Sequence, residues 1–389
     1  MLCRHVYLFM MICLNKKVMN NYMNSNISRK NLELNNFQPW LADRLTRWQR
    51  FIEDPTPGNI LVNLATWDMN LKVDIEGSSP LESWDSPRYC TAYADYQTAY
   101  LKAEIELTKY IDDDRLPMLN PGIGIALNSL YLADGKMDVS AGTTWRHPVI
   151  NEWDDLNSLH LDPDNPWFQG ITAMNQRYMA AFNGDYCVQT FSHFGPMDMA
   201  NALRGNDLFI DFYDYPDEVH QLMQKSVDAT LWLEQEERKI VPMINGGTAI
   251  WGSWMPGNAI FMSEDATDLC APDIYREFGK PYTEQISNSG GGCWIHHHAK
   301  GLHVHHDVAK VNGLRMTEIS WDPNCPRPIE HLEELFAQNN SIPLMTRCTP
   351  QDIYEKIDIM KQGRLVLMLT AESLNEAAEA ITFLRKNTM

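Results

Sequence analysis

Positive charge is scarce in this sequence. Its 389 residues carry 32 Lys and Arg against 51 Asp and Glu, a formal net charge of −19. That imbalance repels phosphate backbones and anionic headgroups, which excludes nucleic acid and membrane surfaces as main partners. Disulfide logic is missing too: the eight cysteines are scattered, with no C-x-x-C pair. In a chain this long they read as reduced thiols of a cytoplasmic protein. No apolar run is long enough to span a bilayer, since His5–Leu14 covers only ten residues. Asn15-Lys16-Lys17 follows where a signal peptidase would need small residues. With the Asn-rich stretch Asn20–Asn36, residues 1–36 are expected to be a disordered or mis-started tail, and 37–389 a single domain. There is no P-loop, nucleophile elbow or H-E-x-x-H, and Gly290–Gly292 precedes a strand, so it is no dinucleotide cradle.

What is present is apolar content of 44%, ample for a large core, arranged in a strand–helix rhythm. Asn59–Ala65 is a predicted strand and Tyr89–Tyr110 a helix free of Pro and Gly. Irregular sequence fills Ile111–Ser140, with room for one or two strands, and Cys187–Phe191 is again strand. Beyond Pro216–Lys239, a helix opened by proline, strands are predicted at Thr248–Trp254, Cys293–His298, Arg315–Trp321, Ile342–Arg347 and Leu365–Thr370. Amphipathic helices separate them, among them Pro272–Asn288 and Pro328–Gln338. Short loops between repeated strand–helix pairs imply parallel strands. The expected fold is therefore a closed (β/α)8 TIM barrel, with a doubly wound sheet as the alternative.

In such barrels the active site gathers at the C-terminal ends of the strands. Those ends read Trp67-Asp68, Ser192-His193, Trp254, His297-His298, Trp321-Asp322, Arg347-Cys348 and Ala371-Glu372. They describe an aromatic-walled pocket for a small molecule. Imidazole and carboxylate there can hold zinc or another divalent ion, or act as general acid and base. Six of the twelve histidines lie between His296 and His306. Because side chains alternate along a strand, either His297 or the pair His296 and His298 faces the pocket.

The wording from Glu264 onward resembles the uroporphyrinogen decarboxylase superfamily. The matching residues are Ser263-Glu264-Asp265, the run Ala271–Phe278, Lys280-Pro281-Tyr282, His298 three residues before Gly301, and Thr349–Asp352. Upstream, Asp113–Pro117 and Asn120–Gly124 look similar as well. The superfamily includes methyltransferases that move methyl groups between corrinoids and thiols. The resemblance implies a TIM barrel, metal-assisted methyl transfer, and a corrinoid carried by a partner protein. His298 and Glu372 are the implied metal ligands, and His298, Asp68 and Asp322 the implied catalytic groups. Trp67, His193, Trp254, Trp321 and Arg347 are the expected substrate contacts. The zinc-dependent members carry His-x-Cys-Gly, where this chain has His298-Ala299-Lys300-Gly301, and a second Cys where it has Glu372. Decarboxylation of a tetrapyrrole or other carboxylate is the alternative activity, although no arginine-rich loop follows Trp67-Asp68. A non-catalytic binding barrel is the third reading, and the sequence is compatible with self-association.

Overall fold

The computed structural model describes residues 31–69, 71–73, 75, 87–133, 135–140, 143–339 and 341–388. In chain order, the strands that position the site are β1 (Ile60–Leu64), β2 (Met118–Leu119), β3 (Cys187–Val188), β4 (His193–Phe194) and β5 (Ile260–Ser263). They continue with β6 (Cys293–His298), β7 (Leu314–Ser320), β8 (Leu344–Cys348) and β9 (Leu365–Leu369). Seven of them form one sheet in the spatial order β1-β9-β8-β7-β6-β5-β4, with every neighbouring pair parallel.

The closed eight-stranded ladder expected from the rhythm is not formed by strand pairing among the described residues. β2 and β3 make a separate parallel pair, and the free edge of β1 is met by side chains. Val62 N–H donates to Asp114 Oδ2 at 2.8 Å and Leu64 N–H to Asp113 Oδ2 at 3.1 Å. Only one backbone bond crosses here, from Asp114 N to Val62 O at 2.6 Å. Arg44 pairs with Asp113, and Arg47 and Arg385 lie 2.8 and 2.7 Å from Asp114. The two carboxylates are thus neutralised while they stand in for a strand.

Strand alternation sorts residues to two faces. Ile60, Val62, Leu64, Leu365, Leu367 and Leu369 pack outward against helices Pro350–Met360 and Leu374–Thr388. Leu61, Phe261, Trp294, Met316, Met345, Val366 and Met368 form the inner layer. Each such aliphatic burial contributes about 1.5–3 kcal/mol, so a one-residue slip would invert the whole pattern and is strongly disfavoured. The same alternation decides the histidine run: His296 follows Trp294 inward, whereas His297 follows Ile295 outward and bonds His305 at 2.9 Å.

Two strand expectations change. Thr248–Trp254 is not a strand of the parallel sheet but parts of an antiparallel hairpin, Gly247–Ile250 with Ser253–Pro256. The parallel strand at this point is β5, absent from the sequence reading because its apolar run is only four residues long. At the other end, most of the predicted tail lies outside the described residues. Within them, Asn31–Leu32 pairs in parallel with Met243–Ile244, so ordered structure extends ahead of Phe37. No helix among the described residues is long and apolar enough to cross a membrane.

Candidate metal centre and adjoining cavity

Three side chains converge where β5 and β6 end. His296 and His298 share the inner face of β6, with ring centroids 4.9 Å apart in an edge-on arrangement. Asp265 follows β5 after one residue, Glu264, at the start of a 3-10 turn, Asp265–Leu269. His296 Nε2 lies 3.5 Å from Asp265 Oδ1, and His298 Nε2 lies 3.6 Å from Asp265 Oδ2. These gaps are too long for hydrogen bonds. They match the spacing of about 3.4 Å between donors that each sit about 2.0–2.1 Å from a tetrahedral ion.

The far side of each imidazole is also committed. His296 Nδ1 bonds Glu318, which is fully buried and also accepts from Ser320 Oγ at 2.8 Å. His298 Nδ1 donates to Asp322 Oδ1 at 2.9 Å, while Lys300 N–H holds Asp322 Oδ2 at 3.3 Å. A carboxylate only accepts, so the proton of each neutral ring sits on Nδ1 and the Nε2 lone pair faces Asp265. Carboxylates behind imidazoles in this way fix the tautomer and raise the basicity of metal ligands. Asp265 Oδ1 is itself buried and has no hydrogen-bond partner.

The surroundings are strongly acidic. Burial and then the nearby Asp265 charge push Asp198 up to about 7, and burial with Asp265 and Asp322 pushes Asp268 up to about 8. Glu264, fully buried, is driven upward by burial and by Asp198. Burial alone would lower His296, but Glu318 foremost, with Asp265 and Asp198, outweighs it and raises the ring to about 9. The raised ring favours its charged form, and a metal binding through Nε2 would have to displace that proton. The donor set fits a borderline divalent ion such as zinc, or iron(II), for which two His and one carboxylate is a familiar triad.

A cavity of about 550 Å³ lies on the other side of Trp251 from this trio, and no member of the trio lines it. Its wall includes Tyr93, Tyr96, Gln97, Tyr100, Leu101 and Glu104 from helix Cys90–Thr108, whose spacing puts all six on one face. Trp67 and Trp251 close other sides. Trp251 links cavity and trio, since its ring centroid is 5.3 Å from His296 and it stacks on Phe261 at 5.1 Å. It occupies the hairpin turn at φ 45°, a left-handed conformation that costs a bulky residue energy. Gln189 Oε1 accepts from Trp251 N–H at 2.9 Å and helps to hold it there.

The residues singled out from sequence distribute as follows. His298 and Asp322 meet, as described. Trp67 and Arg347 line the cavity. Arg347 pairs with Asp68, and Arg115, also on the wall, lies against Glu104 and Thr66, so neither guanidinium is free for a substrate carboxylate. Glu372 is exposed and opens, with Asp68 and Thr370, onto a second cavity of about 470 Å³, not onto the trio. Trp321 is half-exposed, its indole N–H donating to Cys325 O at 2.9 Å. Trp254 is buried in the inner core with its N–H on Ile244 O at 2.7 Å, and the hairpin turn brings Trp251 rather than Trp254 to the cavity. His193 is fully buried beside Glu234. Sequence reasoning missed Asp265, Glu318 and the tyrosine face, and left His296 as one of two alternatives to His297. The recurrence of Tyr at 93, 96 and 100 in a helix of otherwise mixed polarity was an available signal. Asp265 could be found only by placing β5.

No family model and no curated protein sequence matches this chain. Among solved structures, it is similar to a methyltransferase from Methanosarcina mazei, with a TM-score of 0.55 and 12% identity. The match covers 88% of this chain and 98% of that one, so the fold is shared over nearly the whole domain.

Proposed function

We propose that the chain is a metal-dependent methyltransferase with a TIM-barrel-like fold, related to the uroporphyrinogen decarboxylase superfamily. In this reading it acts on a small molecule and takes or gives its methyl group through a corrinoid carried by a partner protein. The observation that carries the reading is the trio of Asp265, His296 and His298, backed by Glu318 and Asp322, with Trp251 standing between it and an aromatic cavity. The likeness to a methyltransferase of known structure supports the fold. Asp265, His296 and His298 would hold the ion. When bound, a divalent ion supplies Lewis acidity that makes an acceptor thiol or hydroxyl nucleophilic at neutral pH.

The protein's own groups have distinct tasks. Glu318 and Asp322 keep both Nε2 lone pairs aimed at one point. Trp251, Trp67 and the tyrosine face orient an apolar, flat or methylated substrate and keep water out. Arg347 and Asp68 pair at the rim, where they shape the entrance. Both cavity arginines are already paired with protein carboxylates, so this cavity is not lined for a polyanionic substrate.

The test follows transfer from free methylcobalamin to a small thiol by the change in the corrinoid visible spectrum. Zinc-loaded wild type should accelerate transfer, and Asp265→Ala and His298→Ala should remove both the ion and the acceleration. Full acceleration by either metal-free variant would overturn the reading. No acceleration by any form, with ligand binding intact in His298→Ala, would make the chain a binding protein.

A further inference from the structure

A second convergence of ligating groups lies in the core, away from the aromatic cavity. His193 on β4 faces Glu234 and Glu237, three apart on the last turn of helix Pro216–Glu237. The three are 1%, 3% and 2% exposed. One ligating atom from each lies within 4.8 Å of the others. Neither ring nitrogen of His193 has a hydrogen-bond partner, and neither has Glu234 Oε2. His193 Nε2 faces that oxygen at 3.5 Å, too far for a hydrogen bond and close to the separation of two ligands on one tetrahedral ion.

The other contacts aim these groups and satisfy Glu237 and one oxygen of Glu234, but not His193. Glu237 accepts from Asn175 Nδ2 at 2.8 Å and from Phe191 N–H at 3.0 and 3.1 Å, which fixes its carboxylate toward His193. Arg238 Nε holds Glu234 Oε1 at 2.7 Å and leaves Oε2 turned inward. Two carboxylates at a helix C-terminus already face the negative end of the helix dipole, and leaving Glu234 Oε2 without a close partner in the core adds a further cost. A buried imidazole with both nitrogens unpaired adds to that cost.

We propose that His193, Glu234 and Glu237 form a second, structural metal site for a divalent d-block ion such as zinc, which fastens helix Pro216–Glu237 to the sheet edge at β4. One imidazole and two carboxylates suit zinc, manganese(II) or iron(II). The site is closed to solvent, unlike the outer trio, where the side chains of His298 and Asp265 are 31% and 45% exposed. An ion taken up during folding is therefore trapped, and only the outer one exchanges readily.

The full chain is refolded in zinc chloride, desalted, and dialysed against EDTA under native conditions, and retained zinc is counted by elemental analysis. Close to one equivalent per chain should resist the chelator in the wild type and in the double variant Asp265→Asn/His298→Ala. His193→Gln and Glu237→Gln should lose that equivalent, and each should also melt at a lower temperature. Because the double variant leaves the core untouched, the test does not depend on the core variants folding. A folded double variant that retains no zinc overturns the proposal. So does retention in His193→Gln equal to that of the wild type. A wild type that carries no second, chelator-labile equivalent before dialysis would instead count against the outer trio, and the two failures stay separate.

Discussion

Asp322→Asn tests whether the outer trio is a metal centre or only an acidic strand end. Asp322 is not one of the three ligating groups but stands behind one of them, His298. It accepts from His298 Nδ1 at 2.9 Å and from Lys300 N–H at 3.3 Å, and its side chain is only 13% exposed. Asparagine has the same shape and can still accept from His298 Nδ1–H through its carbonyl, giving up only the longer Lys300 N–H contact, so the fold and the ring position should survive. What disappears is the negative charge behind the imidazole, and with it part of the electron density at Nε2. Removing such a backing carboxylate costs about 10–100-fold in metal affinity, or about 1.4–2.7 kcal/mol. The assay is competition for zinc between the protein and a chromophoric chelator, with Asp164→Asn, in an exposed loop, as the control. The expected order is wild type and control together, Asp322→Asn weaker by that factor, and His298→Ala weakest. If Asp322→Asn binds zinc as tightly as the control while His298→Ala binds none, the tautomer argument is refuted.

Three further outcomes are expected. Gly195→Ala places a Cβ 2.5 Å from Glu264 Cδ and 2.6 Å from Ser263 O, both buried, so overpacking should cost about 1–3 kcal/mol in urea unfolding. Trp251 lies 5.3 Å from the His296 ring, so Trp251→Phe should remove most of the fluorescence quenching seen on cobalt(II) titration, although eleven of the twelve tryptophans remain. Asp352 caps helix Pro350–Met360 and binds Arg327; burial alone would raise its carboxyl, but the Arg327 and Thr349 contacts outweigh that and lower it. A depressed carboxyl stabilises the fold above its unfolded value, about 3.9, and this contribution is lost as pH falls through the lower folded value. Asp352→Asn should accordingly cost about 2–3 kcal/mol at neutral pH, with the gap to wild type narrowing in acid, as read from melting temperatures.

Local patterning carried most of the fold. β1, β6, β7, β8 and β9, and the helices between them, stood out because long apolar strands and periodic helices declare themselves within a single window. β5 did not, since Ile260–Ser263 is short and sits beside a hairpin whose residues look more strand-like. Period two limited the histidine run to two choices, and the packing of Trp294 against the inner layer selected His296 and His298. The site was legible only in part, because its members come from different loops. His298 and Asp322, 24 residues apart, could be placed at neighbouring strand ends, and they do bond. Asp265 and Glu318 required the register of three strands at once. Glu372 looked equivalent to Asp322 in sequence, yet the strand it follows, β9, lies next to β1, three places along the sheet from β6, and aims it at another cavity.

The pairing of β1 with Asp113 and Asp114 has a mechanical consequence. Elsewhere along the sheet, neighbouring strands are stitched by backbone bonds that must break together. At the β1 edge the stitches are two carboxylates, held in turn by Arg44, Arg47 and Arg385, and a single backbone bond. Side chains can let go one at a time, so the lowest-energy opening of the molecule should run along this line. The amide protons of Val62 and Leu64 should exchange with solvent faster than those of Leu367 and Leu369 beside them. Acid, by protonating the carboxylates, should widen that difference before the rest of the sheet responds.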